Sequence, residues 1–203
     1  CQENSNPLSN MALSVGTPAP DFTVTTLGAN GPELFKLSEK VGQSNILLLF
    51  VPMAFTGVCT QELCAISNGM NDYTSLGCKV IGISGDNPFA QDAWAKKESI
   101  TIPLVSDYDH AVTRAYGIAY DAFLPEKNLG QAGVPKRSAF IVDKSGIIQY
   151  SEAKDSPGET GDIPMDFWLA EGEQAFTYTE RAINEALDQA GLDKNDIDLL
   201  IHA

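Results

Sequence analysis

Cys59 has the position and the neighbours that a reactive cysteine needs. Residues 46–50 (ILLLF) precede it, an unbroken apolar run with the length of a strand buried on both faces. Residues 62–76 follow it, with apolar side chains at steps of three and four, a spacing that predicts a helix. The cysteine is therefore expected where a central strand ends and a helix begins.

The start of a helix is an electrostatically favourable place for a thiolate. Backbone N–H groups are unpaired there, and the helix dipole adds about half a positive charge. Both favour the thiolate, which is the nucleophilic form of cysteine. Thr56 can offer its hydroxyl to the sulfur or to a bound oxygen, and Pro52, which has no N–H, can form a wall of the pocket. A buried cysteine with a purely structural role in the strand-to-helix corner is the simpler alternative.

The pattern Pro52-x-x-x-Thr56-x-x-Cys59 resembles the active-site signature of the peroxiredoxins, thiol peroxidases with a thioredoxin-like fold. Within that family, residues 55–62 (FTGVCTQE) are most similar to the alkyl hydroperoxide reductase E group. Residues 137–143 (RSAFIVD) resemble the later strand that carries the family's arginine, and the opening GTPAPDF is also similar. The resemblance runs from about residue 15 to residue 150.

The resemblance implies an enzyme that reduces hydrogen peroxide and organic hydroperoxides, with Cys59 as the peroxidatic cysteine that becomes a sulfenic acid. It implies that Arg137 stabilises the thiolate and the charge developing on the peroxide oxygens. An ordinary surface cation is the alternative for this arginine. Arg114 is the rival, for which we expect a structural pairing with Glu62 as the candidate partner. No cofactor is expected.

Cys64 lies five residues after Cys59, the spacing of the bacterioferritin comigratory protein group, in which the second cysteine resolves the sulfenic acid. The alkyl hydroperoxide reductase E group has no cysteine there, so the chain combines two patterns. Five helical steps would separate the two Cα atoms by roughly 8–9 Å, more than the ~7 Å that a disulfide spans. A Cys59–Cys64 disulfide therefore requires the first helical turn to unwind. The alternative is a one-cysteine enzyme that an external thiol reduces directly.

The remaining segments predict an α/β fold with a central mixed sheet flanked by helices, which is thioredoxin-like by resemblance. An N-terminal hairpin is expected around the turn at residues 29–32, and an antiparallel pair around the turn at 144–146. The other predicted elements are a strand at 78–84 with Cys78 in the core, a helix at 88–98 with a buried Trp94, a strand at 103–107 and a helix at 109–116.

Three regions are expected along the chain: a polar tail at 1–10, a peroxiredoxin domain at 11–172, and an acidic C-terminal helix with an extension at 173–203. Met11 resembles a natural start, which would make residues 1–10 an extension. Cys1 could instead be the lipid-bearing first residue of a bacterial lipoprotein. A cytoplasmic location is the main expectation, and a lipid anchor through Cys1 is the alternative.

The charge and the cysteine count limit the partners. The 203 residues carry a formal charge of −14, of which residues 152–203 contribute −10, so nucleic acid or an anionic membrane surface is an unsuitable partner. No apolar run approaches the roughly 20 residues of a membrane span. Four cysteines are too few for a disulfide scaffold and fit a reducing compartment. The spacing from Cys59 to Cys64 is too wide for a zinc knuckle, and both histidines are distant, so no metal is expected.

Two other functions compete with a peroxidase. A redox-responsive interaction protein could use the acidic C-terminal segment to dock a partner, and would show little turnover. A thioredoxin-like disulfide reductase is disfavoured because the sequence has no Cys-x-x-Cys. For the peroxidase, the resemblance implies a thioredoxin-like or low-molecular-weight thiol as the reductant, and a homodimer.

Overall fold

A computed structural model describes residues 11–75 and 77–159. The expectations for the polar tail, for Cys1 and for the C-terminal helix and extension therefore fall outside the described residues, as does the predicted boundary at residue 172. Within the described residues, no helix is long and apolar enough to cross a membrane.

The described residues form one sheet of seven strands and four α-helices. The strands are β1 Thr23–Gly28, β2 Gly31–Lys36, β3 Asn45–Phe50, β4 Cys78–Ser84, β5 Leu104–Ser106, β6 Ser138–Val142 and β7 Ile148–Ala153. The helices are α1 Gly57–Asn68, α2 Met70–Ser75, α3 Pro88–Glu98 and α4 Ala111–Ala115, and short 3-10 helices cover Leu37–Glu39 and Pro125–Lys127.

The strand order is β2-β1-β5-β4-β3-β6-β7. Strands β3, β4 and β5 are parallel, because helices connect them, and the outer strands are antiparallel to their neighbours. The predicted mixed α/β sheet is confirmed. The N-terminal hairpin is also present, and β1 joins it to the main sheet by pairing with β5.

Strand β3 is an interior strand of the sheet. It pairs with β4 on one side and with β6 on the other, and the side chains of residues 46–50 are at most 1% exposed. Burial on both faces explains why this strand is an unbroken apolar run rather than an alternating one. The chain therefore leaves β3 at a fixed point, and the active-site loop begins there.

The helix after β3 differs from its prediction. Instead of one helix over 62–76, α1 begins at Gly57 and ends at Asn68, and α2 follows from Met70. Gly69 separates them, and its N–H donates to the carbonyls of Ala65 and Ser67. Glycine in a helix interior costs about 1 kcal/mol relative to alanine, so a break at Gly69 is favourable. The apolar spacing alone does not show this break, because it continues on both sides of the glycine.

Helix α3 braces the helix that carries Cys59. Asn87 caps its start by accepting a hydrogen bond from the N–H of Ala90, and Pro88 is its first residue. Trp94 is fully buried, as predicted, and its indole N–H donates to the hydroxyl of Thr60 at 3.0 Å. This bond ties the middle of α3 to the first turn of α1.

Candidate active site

Cys59 is the third residue of α1 and is 1% exposed. Thr56 occupies the capping position with extended backbone angles (φ −85°, ψ 148°), so the chain turns from the loop into the helix immediately before the cysteine. The sulfur is therefore one turn from the amino end of α1, where unpaired N–H groups favour negative charge.

Arg137 lies against the sulfur of Cys59. It immediately precedes β6, and the first pair of the β3–β6 ladder is Phe50 with Ser138, so the arginine lies at the edge of the sheet where β3 ends. Its Nη2 donates to Cys59 Sγ at 3.2 Å, and the arginine is 2% exposed. The strand that residues 137–143 were expected to form begins at Ser138, which leaves the arginine just before the strand and beside Cys59.

Glu62 holds the other side of the guanidinium. It follows Cys59 by three residues, so the two side chains share one face of α1, and its carboxylate forms an ion pair with Nη1 of Arg137. Burial alone would lower the pKa of Arg137, but the negative charges of Cys59 and Glu62 outweigh burial and raise it. Burial also raises the pKa of Glu62, against the attraction of Arg137. Arg137 is thus permanently charged, and the ionised form of the buried Glu62 carboxylate depends on the attraction of this cation.

Thr56 does not donate to the sulfur. Its hydroxyl donates to the carbonyl of Met53 at 2.8 Å, within the loop that precedes α1. The alternative partner, a bound peroxide oxygen, stays a prediction. The hydroxyl oxygen keeps its lone pairs and can still accept a hydrogen bond.

A cavity of about 280 Å³ opens in front of Cys59. Pro52 and Thr56 both line it, and a place in the pocket wall was the prediction for Pro52. The remaining walls come from the start of α1, from the segment before β6 and from the segment after β7: Gly57, Val58, Phe123, Leu124, Lys127, Leu129, Arg137, Pro157 and Gly158. Most of these side chains are apolar, so Cys59 and Arg137 face a small and largely apolar space.

Known proteins of similar sequence establish the family of this chain. The AhpC/TSA family profile matches residues 15–151, nearly the range of the resemblance predicted from sequence. The chain belongs to the AhpC/TSA family. Among curated relatives, alkyl hydroperoxide reductase E of Mycobacterium tuberculosis is 37% identical over 152 residues, which cover 74% of this chain and 91% of the relative. Peroxiredoxin-2 of Cricetulus griseus is 33% identical over 174 residues, covering 82% and 80%.

Solved structures agree on the fold. The reduced 2-Cys peroxiredoxin of Plasmodium vivax matches with a TM-score of 0.67 and 22% identity, covering 80% of this chain and 83% of that one. Peroxidoxin BcpB of Mycobacterium tuberculosis matches with a TM-score of 0.66 and 22% identity, covering 78% and 98%. The thioredoxin-like fold is thereby confirmed. The chain is a peroxiredoxin, a thiol-dependent peroxidase, and nothing in these comparisons favours the interaction-protein alternative.

Arg114 is not part of the peroxiredoxin site. It lies on the exposed side of α4, and its Nη2 donates to the carbonyl of Asp109 at 2.8 Å. The predicted pairing with Glu62 is wrong, because Arg137 occupies the position beside that carboxylate. Sequence alone could not decide this, since the pairing of β3 with β6 determines which arginine reaches α1.

The second cysteine of α1 faces a different partner. The thiol of Cys64 is half-buried and donates to the carbonyl of Glu98, the last residue of α3, with an S···O distance of 3.4 Å. Because α1 is continuous from residue 57 to residue 68, Cys59 and Cys64 occupy fixed places on one helix, and both thiols are free.

Cys78 is the first residue of β4 and lies in the core, as predicted. Burial raises the pKa of its thiol to about 12. Its sulfur therefore stays protonated at neutral pH and takes no part in thiolate chemistry.

Asp86 is a residue of the site that the sequence interpretation missed. Its carboxylate accepts hydrogen bonds from the N–H of Ala54 and from the hydroxyl of Ser84, both at 2.8 Å. The first bond fixes the active-site loop, where Phe55 has a positive φ of 61°, a conformation that costs a non-glycine residue about 1–2 kcal/mol. The signal was present, since Asp86 follows β4 and the ends of adjacent parallel strands meet at one edge of the sheet.

The described residues contain no group of three or more histidine, cysteine or acidic side chains that could hold a metal ion.

Proposed function

We propose that Cys59 is the peroxidatic cysteine and that the enzyme reduces hydrogen peroxide and organic hydroperoxides. The carrying observation is the 3.2 Å contact between two buried groups, Nη2 of Arg137 immediately before β6 and Sγ of Cys59 in the first turn of α1. A permanent cation, a helix start and a small apolar cavity together favour a thiolate and a neutral, compact oxidant.

In the proposed reaction, the thiolate of Cys59 attacks one oxygen of the hydroperoxide in line with the O–O bond. An S–O bond forms and the O–O bond breaks, so that the sulfur is oxidised and the peroxide is reduced by two electrons. The departing oxygen takes a proton and leaves as water or as an alcohol, and the cysteine becomes a sulfenic acid.

Arg137 and the start of α1 would stabilise this transition state. The guanidinium contacts the sulfur, so it lies beside the charge as that charge moves onto the peroxide oxygens. The N–H groups of Val58 and Cys59 lie in the first turn of α1 and can donate to the same oxygens. Thr56, whose proton is directed to Met53, can accept the hydrogen bond of the peroxide O–H.

For regeneration we propose that Cys64 attacks the sulfenic acid and forms a disulfide with Cys59, releasing water. A thioredoxin-like protein or a low-molecular-weight thiol would then reduce that disulfide. Since both cysteines lie on α1, the first turn must open, and Cys64 must leave the carbonyl of Glu98. In the one-cysteine alternative, the external thiol reduces the sulfenic acid directly.

From the family we also propose a homodimer, and from the low cysteine count a location in the cytoplasm, with a lipid anchor through Cys1 as the alternative location. Size-exclusion chromatography with light scattering measures the first proposal, and cell fractionation with lipid analysis of Cys1 decides the second.

Peroxide consumption by purified Cys59→Ser tests the proposed function. A serine hydroxyl is barely ionised at neutral pH, so activity with hydrogen peroxide and cumene hydroperoxide should be lost. Cys78→Ala is the matched control, because Cys78 is a core thiol remote from the cavity, and it should keep wild-type activity. Substantial peroxide reduction by Cys59→Ser would exclude this cysteine as the nucleophile.

A further inference from the structure

Beyond β7, the chain contacts the active site once more through residues 154–159, which we call the strap. The strap begins beside the catalytic arginine, because the N–H of Lys154 donates to the carbonyl of Arg137 at 2.8 Å. Three residues later it returns to the same arginine, where the carbonyl of Pro157 accepts a hydrogen bond from Nη2 at 3.1 Å. Pro157 and Gly158 also line the cavity in front of Cys59.

The carbonyl of Pro157 is held in place by a turn. The N–H of Glu159 donates to the carbonyl of Ser156 at 3.2 Å, which closes a four-residue turn with Pro157 and Gly158 at its centre. The bond of the turn uses the carbonyl of Ser156, so that of Pro157 is available to Arg137. Proline fixes its own φ angle, so the backbone loses less conformational entropy when the carbonyl of Pro157 is held in place.

Three side chains hold the strap against the body of the protein, and we call them the latch: Tyr120, Lys136 and Asp155. The hydroxyl of Tyr120 donates to the backbone carbonyl of Asp155 at 2.9 Å. The ammonium of Lys136 lies 2.7 Å from the carboxylate of Asp155 and 5.9 Å from the ring centroid of Tyr120. The latch thus fixes the strap two residues before its contact with the arginine.

The guanidinium of Arg137 is therefore bound by three acceptors, two on α1 and one on the strap. Glu62 of α1 binds Nη1, whereas Cys59 and Pro157 share the two protons of Nη2. Without the carbonyl of Pro157, one proton of Nη2 would have no partner in the protein, and the group could rotate away from the sulfur. Arg137 is 2% exposed, so water is a poor substitute for that acceptor.

We propose that the strap is a positioning element of the peroxidase. The latch fixes the carbonyl of Pro157, and this carbonyl holds the Arg137 guanidinium in contact with the sulfur of Cys59. The inference rests on the proposed roles of Cys59 and Arg137. It adds Tyr120, Lys136 and Asp155 as positioning residues that act through the arginine and do not touch the peroxide.

The latch can be opened with little effect on folding. The side chain of Asp155 is 93% exposed, and ion pairs on the surface contribute little to the free energy of unfolding. Tyr120→Phe removes one oxygen and keeps the ring. A loss of activity in these variants can therefore be separated from a loss of stability by urea denaturation of the same proteins.

The experiment measures the rate constant of Cys59 oxidation by hydrogen peroxide in a single turnover for Tyr120→Phe, Asp155→Ala and the combined variant. Matched controls are Tyr108→Phe, an exposed tyrosine, and Asp92→Ala, which breaks an ion pair of equal length on α3. The combined variant should lose about tenfold, less than the ~100-fold that a 1 Å misplacement can cause. Each single variant should lose less, and the controls should match the wild type.

The same latch variants are then measured in an Arg137→Lys background. A lysine carries its donors on a single nitrogen at the end of a flexible stem and cannot reproduce the planar fork that contacts Glu62, Cys59 and Pro157 together, so opening the latch should cause no further loss there. A wild-type rate in the combined latch variant overturns the proposal, as does an equal fold-loss in both backgrounds. If Arg137→Lys alone oxidises at the wild-type rate, the proposed role of the arginine fails instead. If the combined variant does not fold, Tyr120→Phe alone decides by the same comparison.

Discussion

At the scale of single residues, the site depends on one buried cation between two acidic groups. Arg137 contacts the sulfur of Cys59 with one nitrogen and the carboxylate of Glu62 with the other. Removing the arginine alone would leave Glu62 buried without a partner, which typically costs 3–5 kcal/mol. The catalytic contribution of the arginine is therefore measured best when both charges are removed together.

We expect Arg137→Met, made in a Glu62→Gln background, to slow oxidation of Cys59 strongly relative to Glu62→Gln alone. The loss should be on the order of 2.7–4 kcal/mol of barrier stabilisation, by analogy with the removal of one donor to a developing oxyanion. Single-turnover oxidation by hydrogen peroxide measures it, with urea denaturation of both proteins as the stability control. Equal rates in the two proteins would show that Arg137 is not needed.

The other buried thiol should be unreactive. Because burial raises the pKa of Cys78 to about 12, its thiolate is scarce at pH 8, and we expect iodoacetamide to modify Cys59 well before Cys78 in the folded protein. In urea, where burial is lost, the two should react at similar rates. Peptide mapping by mass spectrometry follows both sites, and rapid labelling of Cys78 in the native enzyme would contradict its assignment to the core.

At the scale of elements, the strand-to-helix corner was predictable and its completion was not. The apolar run of β3 and the Pro52-x-x-x-Thr56 loop after it indicated the place of Cys59, because both are local patterns. Asp86 and the strap reach the site through strand pairing and a turn, and neither leaves a periodic pattern in the sequence. The break at Gly69 was missed because apolar spacing alone does not weigh the cost of a glycine.

Helix α1 must change if Cys64 resolves the sulfenic acid. Oxidised wild type should then be two mass units lighter and contain one peptide pair joined through Cys59 and Cys64. Amide exchange over residues 57–65 should rise on oxidation, because the first turn has to open.

The control for this prediction is Cys64→Ser, with Cys1 and Cys78 substituted in both proteins so that neither can form the bond. There the sulfenic acid should persist, over-oxidise more readily and leave amide exchange in α1 unchanged. Finding Cys64 reduced in fully oxidised enzyme would support the one-cysteine account instead.

At the scale of the whole molecule, the sheet supports the site, and the antiparallel pair of β6 and β7 begins directly after Arg137. The turn from β6 to β7 is fixed by Asp143, whose carboxylate accepts from the N–H groups of Ser145 and Ile147 and from the amide of Gln149. Burial alone would raise the pKa of Asp143, but these hydrogen bonds outweigh burial and lower it. Ionised Asp143 therefore stabilises the fold.

Asp143→Ala should lower the free energy of unfolding by about 1–2 kcal/mol at neutral pH, through the loss of these hydrogen bonds. Since the folded pKa lies below 3.8, the stabilisation is present above that value and is lost as pH falls through the folded pKa. Urea denaturation from pH 7 to pH 2.5 measures the difference, which should shrink towards the acid end. A difference that stays constant over this range would show that the charge of Asp143 is not involved.

The family and the fold were accessible from sequence because they rest on motifs and on long periodic segments, and both are confirmed. The partner of Glu62 was not, because Arg137 and Arg114 differ only in which strand brings them to α1. The bond from Thr56 to Met53 was also not accessible, because a hydroxyl in a loop can donate to a nearby carbonyl that the sequence does not reveal.

The central claim is that Cys59, held by Arg137, is the sulfur that peroxide oxidises. Its most direct test is treatment of the Cys64→Ser protein with one equivalent of hydrogen peroxide in the presence of dimedone, followed by peptide mass spectrometry. Dimedone should be attached to Cys59 in nearly every molecule and absent from Cys78. Consumption of the peroxide with no adduct on Cys59, or with the adduct on another cysteine, would contradict the account.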